Sequence, residues 1–394
     1  MSLPLDNIRV VEICQVFAGP FAAMLLADQG ANVIKVEPFE GDSSRETVPY
    51  MPDTKGMSLR YITFNRNKRS IVVDFTKPKG LELVYDLLRQ ADVLVINMRT
   101  GARQRRHLTY EDVAAINPRL IYASNTGYGE DGPEADLPGI DIVTQARSGD
   151  LDVRRLGGGP PPPHTQLYHF DMAAAMLLVY AVALAIIERE RTGRGQKVDT
   201  SLLQASLACH TVNLTRLGDS TTGYGIVPTV PATYRCSDGR YILVMTGGER
   251  WDRFCHTMGL ENLSKDPAFD TNAKRTQKAT ELREILSRVF ATKPAAEWEA
   301  LLKADGHTTS VVKEMNEVYQ DPQVVANQMV TQFEQPGIGT IRVTNVPIQM
   351  SASAHEQRFR RPAPTLGEHT MEVLKEMGRS PKDIAVLKQE KVIP

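Results

Sequence analysis

Asp171 has the widest chemical options of any residue in this sequence. It stands directly ahead of the most apolar segment of the chain, Met172 to Ile187. A carboxylate in that position has two uses. It can cap the helix, accepting hydrogen bonds from the first free backbone N–H groups. Alternatively, those same donors hold it ionised at the edge of a cavity, where it acts as a nucleophile. Three other segments offer anion chemistry. The turn CQVFAGP, residues 14–20, opens a helix whose free N–H groups and dipole would favour a phosphate, although a plain strand–helix turn has the same pattern. The segment NRNKRS carries Arg66, Lys68 and Arg69 and reads either as phosphate contacts or as a solvated charge run. Arginines 99, 103, 105 and 106 follow a strand that ends at Asn97, on the side where ligands of open α/β sheets bind.

Several chemistries are excluded by what is missing. The signature GxGxxG is absent, since Gly19 alone lies in the first turn, which removes most support for a dinucleotide site. The histidines, at 107, 164, 169, 210, 256, 307, 355 and 369, form no HExxH or other ligand spacing, so no metal site is expected. His169 is close enough to Asp171 in sequence to share its site. No GxSxG elbow supports a serine hydrolase. The four cysteines, 14, 209, 236 and 255, form no CxxC pair and are expected to be free thiols.

These residues need a scaffold. Strand patterns fit 9–14, 31–37, 70–75, 92–97 and 120–124, and helix patterns fit 20–29, 79–89 and 109–116. That alternation predicts a parallel sheet covered by helices. Residues 131–168, with GGGPPPP at 157–163, read as an irregular loop. A long helix follows from about 171 to 190, then the turn TGRGQ, a short extended piece at 197–200 and a helix starting at Ser201. From about Pro228 the pattern changes to a hairpin around Ser237-Asp238-Gly239 and helices near 249–258, 279–291 and 295–304, which predicts a smaller α+β domain. The segment IGTIRVTNVPIQM reads as strands, and 368–377 as a terminal helix.

The whole chain fits that picture. With 394 residues, 42% of them hydrophobic, it is long enough for two or more domains with real cores. Lys+Arg at 46 and Asp+Glu at 47 nearly cancel, so charge implies no nucleic-acid or membrane partner. The apolar run at 172–187 is shorter than the ~18–20 residues of a membrane span and reads as a buried helix. The first residues lack a signal-peptide pattern, and a cytoplasmic location is expected.

Read together, the segments resemble the class III CoA-transferases. The matching stretches are AGP at 18–20, GANVIKVE at 30–37, NRNKRSIVVDF at 65–75, ADVLVIN at 91–97 and NPRLIYASNTGYGEDGP at 117–133. They continue with ERERTGRGQKVDTSLLQA at 188–205, DPQV at 321–324 and APTLGEHTMEVLKEMG at 363–378. The resemblance covers nearly the whole chain. It implies an interlaced homodimer in which two chains pass through each other like links. Each would have a Rossmann-like α/β large domain with a parallel sheet, here 1–220 plus 325–394, and a small α+β domain, here 225–320. It implies that coenzyme A and acyl-CoA are substrates, with no tightly bound cofactor, and that Asp171 is the catalytic nucleophile. The CoA site implied is Phe17, Ala18, Val73, Asp74, Phe75, Thr76, Asn97, Met98, Arg99, Arg105, Pro138, Gly139, Ile140 and Asp141. Gly247 and Gly248 are the nearest candidates for the acid-substrate side. Two departures stand out: Pro38 replaces a basic residue found in some members, and Thr76 stands where many have lysine, with Lys77 one place later.

Two other functions compete. An α-methylacyl-CoA racemase of the same superfamily pairs its aspartate with a histidine in a G-H-D segment, but this chain reads Gly139-Ile140-Asp141, and isoleucine carries no proton. His169 is the substitute to consider. A non-catalytic acyl-CoA-binding protein is the other alternative, and the intact Asp171 argues against it. Arg147, Arg154 and Arg155 are candidates to hold a second carboxylate, which would favour dicarboxylic acids as substrates.

Overall fold

The computed structural model describes residues 2–46, 57–154, 160–165, 167–218, 230–246, 250–352 and 359–394. Two compact units emerge, Met1–Leu214 with Gln328–Pro394 and Thr215–Asn327.

The larger unit is built on six parallel strands: β1 (Arg9–Ile13), β2 (Asn32–Glu37), β3 (Lys68–Val72), β4 (Val93–Ile96), β5 (Ile121–Thr126) and β6 (Lys197–Ser201). Their spatial order is β3-β2-β1-β4-β5-β6, so the chain winds outward one way from β1 and then returns to wind the other way from β4. This reversal leaves a crevice at the carboxyl ends of β1 and β4, the place where open α/β sheets take ligands. The helices in chain order are α1 (Ala18–Asp28), α2 (Leu59–Asn65), α3 (Pro78–Arg89), α4 (Thr100–Arg105), α5 (Tyr110–Ile116), α6 (Asp141–Arg147), α7 (Asp150–Val153), α8 (His169–Thr192) and α9 (Leu202–Cys209). Alternate residues of β1, with Cys14 just after it, enter opposite cores. Val11 and Ile13 pack with Leu83, Leu87 and Leu374 on one face, while Val10 and Cys14 pack with Ala23, Leu178 and Val182 on the other. Both faces of the sheet are therefore covered, which is why its strands read as continuous apolar runs.

Local chemistry sets the element ends. α1 stops at Gly30, whose φ of +112° suits glycine and whose missing Cβ leaves room for Leu3 and Asp6. Thr109 and Asp112 form a reciprocal capping box that starts α5, and Ser201 caps α9. The strand expected at 70–75 starts two residues earlier and ends three earlier, at Lys68–Val72. The reason is that the basic residues before it are buried against acids and stay in the sheet, as shown below.

Two expectations need correction. Residues 131–168 are not wholly irregular, because α6 and α7 lie within them. Glycine and proline flank these helices without interrupting them, and composition alone merged the pieces. The apolar helix α8 is also longer than its apolar run. It spans 24 residues and is long and apolar enough, by length and composition, to cross a membrane. One face is buried through Ala174, Ala175, Leu178, Val182 and Ala185, while Met176, Leu177, Tyr180, Leu184 and Ile187 are exposed on another.

The smaller unit has an antiparallel sheet of β7 (Val230–Arg235), β8 (Tyr241–Thr246) and β9 (Thr308–Val311) in that order. The β7–β8 hairpin turns at Gly239, with φ of +82°, as its Ser-Asp-Gly sequence predicts. Helices Trp251–Thr257, Ala279–Phe290 and Ala295–Ala304 close its core of Tyr234, Phe254, Phe290 and Trp298. In the C-terminal return, Gly339–Thr344 pairs antiparallel with Val330–Gln335, a partner strand the sequence pattern did not reveal.

Candidate active site

The crevice at the strand reversal holds a cavity of about 790 Å³. It is lined by residues following β1 (Cys14–Ala18) and β4 (Asn97–Arg99), by the end of β5 and the residue after it (Thr126, Gly127), by α4 (Ala102, Arg105), by 135–142 and by Tyr168 and Asp171. The first turn is fixed from both sides. Asn97 accepts the Gln15 N–H at 3.0 Å and donates to the Gln15 carbonyl at 2.8 Å, so its amide is spent on the backbone. Val16 sits at φ of +74°, rare for a β-branched residue, and its N–H is held by Asp42 at 3.1 Å.

Beneath this turn lies a ladder of buried charge across three adjacent strands. Lys35 of β2 contacts Glu12 of β1 at 2.8 Å and Asp42 at 2.9 Å, and Lys68 of β3 contacts Glu12 at 2.7 Å. The Lys35 ammonium also donates to the Cys14 carbonyl at 2.8 Å, which ties the ladder to the turn. Burial pushes Lys68 down to about 8, against the pull of Glu12. Burial raises Asp42, but Lys35 and Ser44 outweigh it and bring it to about 2. Neither reading of NRNKRS therefore holds. Arg66 pairs with Asp28 at 2.7 Å, Lys68 with Glu12, and Arg69 with Glu376 at 2.7 Å, all structural contacts made by buried cations.

Asp171 is in the first turn of α8, and the capping expectation fails for it. The N-cap is Tyr168, in the left-handed region at φ of 49°. A carboxylate from another helix does the capping: Asp141 accepts the Phe170 N–H at 2.7 Å and the Asp171 N–H at 3.0 Å. Asp141 itself is placed by a tight crossing, because Gly127 and Gly139 approach so closely that a Cβ on either would overlap the other's Cα. The donors expected to keep Asp171 ionised are thus spent on Asp141. Burial, then the like charge of Asp141, pushes the Asp171 carboxyl up to about 7. Five carboxylates line the cavity, at Glu37, Asp42, Asp136, Asp141 and Asp171. Glu37 pairs with Arg45, Asp42 with Lys35, Asp136 with the Gly101 N–H and Asp141 with the two α8 N–H groups. Among the described residues, the Asp171 side chain alone of these has no hydrogen-bond or ion-pair partner.

The remaining expected site residues divide. Phe17, Ala18, Phe75, Asn97, Met98, Arg99, Arg105, Pro138, Gly139, Ile140 and Asp141 line the cavity with Asp171. Val73, Asp74 and Thr76 do not: Val73 is core, and Asp74 accepts both the N–H and the hydroxyl of Thr76. Lys77 donates to the carbonyls of Glu390 and Lys391, and Pro38 is in the lining. Arg103 turns away to pair with Glu130 at 2.6 Å. Arg147 is paired with Glu134 and Arg154 with Asp150, and neither lines the cavity. Arg155, Gly247 and Gly248 lie outside the described residues. His169 packs edge-on against Phe170 at 4.2 Å and is absent from the lining, so it does not replace the histidine a racemase would have at Ile140. Sequence reasoning missed Arg60, Asn125, Tyr168 and His164, which also line the cavity. The carboxyl-end rule applied to β1 and β4 would have found Asn125 at the end of β5.

Comparison with known proteins gives the family and the fold. Residues 5–370 match CoA-transferase family III. The chain is 34% identical to an acyl-CoA transferase of Fusarium pseudograminearum, covering 99% of this chain and 88% of the relative. It is 33% identical to the human succinyl-CoA:glutarate CoA-transferase, covering 95% of this chain and 86% of the relative. The crystal structure of a CAIB/BAIF family protein from Brucella suis superposes with a TM-score of 0.82 at 30% identity, over 96% of this chain and all of that one. With a ligand crevice where such folds bind and an unpartnered carboxylate inside it, the chain belongs to CoA-transferase family III, and it is an enzyme that transfers CoA between an acyl-CoA and an acid.

Proposed function

We propose that Asp171 carries the acyl and CoA groups covalently. The observation behind this is its unpartnered, desolvated carboxylate in a cavity whose other acids are all engaged. In the first step the carboxylate attacks the thioester carbonyl of the donor, forming a mixed anhydride and releasing CoA thiolate. The thiolate then attacks the aspartyl carbonyl, giving an aspartyl-CoA thioester and freeing the donor acid. The acceptor carboxylate next attacks the aspartyl carbonyl and regenerates a mixed anhydride and the thiolate. The thiolate finally attacks the acceptor's acyl carbonyl, and Asp171 returns as a carboxylate. Desolvation suits this sequence, since water would hydrolyse each anhydride. Arg99 and Arg105 at the β4 side have no acidic partner among the described residues and suit CoA phosphates. The names of relatives, which include succinyl-CoA, glutarate, citramalate and oxalate, make small organic acids the panel to assay.

The deciding experiment mixes the enzyme with acyl-CoA and no acceptor, then adds hydroxylamine. An aspartyl hydroxamate on the peptide containing Asp171 is expected, and Asp171→Asn should abolish both adduct and turnover while retaining CoA binding. A folded Asn variant with near-normal transfer would end the proposal.

We further propose an interlaced homodimer. The exposed apolar stripe on α8, continued by Leu207 of α9 and by Val212 and Leu214, is what a second chain would cover. A cytoplasmic location goes with the free cysteines, and a fluorescent fusion found outside that compartment would contradict it.

A further inference from the structure

Arg99 and Arg105 belong to one side of the cavity, but a third cation lines it elsewhere. Arg60, on α2, is the remaining lysine or arginine in the lining. α2 is held firmly: Ser58 caps it and Tyr61, fully buried, accepts from Arg45. The Arg60 guanidinium lies over the rings of Phe17, at 4.9 Å, and Tyr168, at 5.5 Å. Those two rings are themselves stacked at 4.5 Å. One guanidinium nitrogen reaches the Tyr168 hydroxyl at 3.4 Å. Among the described residues no carboxylate pairs with Arg60, and Asp171 does not draw on its charge, since burial and Asp141 govern that carboxyl. Stacking orients the fork and leaves most of its N–H donors unspent. Tyr168, the residue it touches, is the N-cap of the helix whose first turn carries Asp171. The cation therefore lines the same cavity as Asp171 and rests on the residue that begins its helix.

A second unspent donor points the same way. Asn125, at the end of β5, is 4% exposed and lines the cavity, and its Nδ2 has no hydrogen-bond partner among the described residues. A buried amide donor left unpaired is costly in a native protein unless a ligand or water meets it.

Resting on the transferase reading, we propose that the acceptor is a dicarboxylic acid. One carboxylate reacts at Asp171, the second is held by Arg60, and Asn125 donates to an oxygen of the bound acid. An ionised second carboxylate cannot enter a partly desolvated cavity without such a partner, whereas a guanidinium fork meets it with two parallel hydrogen bonds. Of the candidates the sequence offers for this role, Arg147 and Arg154 are occupied by their own acids, and Arg155 lies outside the described residues.

Pentanedioate and pentanoate serve as matched acceptors, with acyl-CoA as donor. The wild type should prefer pentanedioate. Arg60→Gln should raise the KM for pentanedioate by about 10- to 100-fold, a far larger change than it makes in the KM for acyl-CoA or in the use of pentanoate. Arg60→Lys, which keeps charge but not the fork, should fall between, and it stands in if the Gln variant does not fold. Asn125→Leu should weaken pentanedioate by a smaller factor, and more than it changes the KM for acyl-CoA. Equal loss with both acids, a KM for acyl-CoA raised as far as that for pentanedioate, or no change would overturn the subsite, as would a wild type that uses no dicarboxylate from ethanedioate to hexanedioate. The hydroxamate assay separates the two readings. A wild type with no adduct at Asp171 refutes the covalent transferase mechanism, while an adduct with no Arg60-dependent discrimination refutes only the subsite.

Discussion

As the proposed nucleophile, Asp171 would have to be ionised to attack, and its environment opposes ionisation. With its carboxyl pushed up to about 7, kcat/KM should rise about tenfold per pH unit below 7 and level off above it. The same shift has a consequence for stability. A carboxyl whose folded pKa exceeds its unfolded value of 3.8 binds its proton more tightly in the native state, so its contribution falls as pH rises from about 4 to about 7. Asp171→Asn removes that cost. The variant should melt higher than wild type at pH 8, with a gain of at most roughly 4 kcal/mol, and the gain should vanish near pH 4. Calorimetry at both pH values checks this, and an Asn variant less stable at pH 8 would show that the aspartate's charge is compensated. Asp141 provides the complementary case. Asp141→Asn retains an oxygen for the α8 N–H groups but removes the second cause of the raised carboxyl. The acid limb of the pH–rate profile should then move to lower pH, and a limb that stays in place would remove Asp141 from the electrostatics of the site.

At the scale of elements, the charge ladder joins β1, β2 and β3 to the first turn. Lys35 is fully buried between Glu12 and Asp42 and supports the Cys14 carbonyl. Lys35→Met leaves Asp42 without its cation and Glu12 with Lys68 alone, and removing one partner of a buried pair costs roughly 3–5 kcal/mol. Chemical denaturation should show a loss of that order, and a variant as stable as wild type would mean the ladder is dispensable. The segment NRNKRS shows why charge runs mislead. Arg66, Lys68 and Arg69 look solvated or ligand-facing in sequence, yet each meets an acid far along the chain, at Asp28, Glu12 and Glu376.

For the whole molecule, the exposed stripe of Met176, Leu177, Tyr180, Leu184 and Ile187 sets the expectation. Linked chains separate only by partial unfolding, so the interlaced homodimer proposed above should persist on dilution. Sedimentation at nanomolar concentration checks this, and a folded monomer there would rule out interlacing. Much of the scaffold was legible from the residues themselves. Strands such as Arg9–Ile13 and Val93–Ile96, the helices of 79–89 and 279–291, and the hairpin at Gly239 follow from apolar runs, 3.6-residue periodicity and turn chemistry. These signals are local, and so is the string of motifs that resembles the family. What sequence left open was decided by pairs distant along the chain. Asp171 looked like a cap because a carboxylate ahead of an apolar helix usually is one, whereas the cap is supplied from Asp141. Arg60 carried no signal at all until folding set it over Phe17 and Tyr168, and Arg147 and Arg154 looked available until folding gave each its own acid. Residue type and spacing determine which groups can ionise or donate; only the tertiary structure decides which of them have their partners within the protein and which remain unspent for a ligand, because that depends on contacts between segments that the local pattern does not encode.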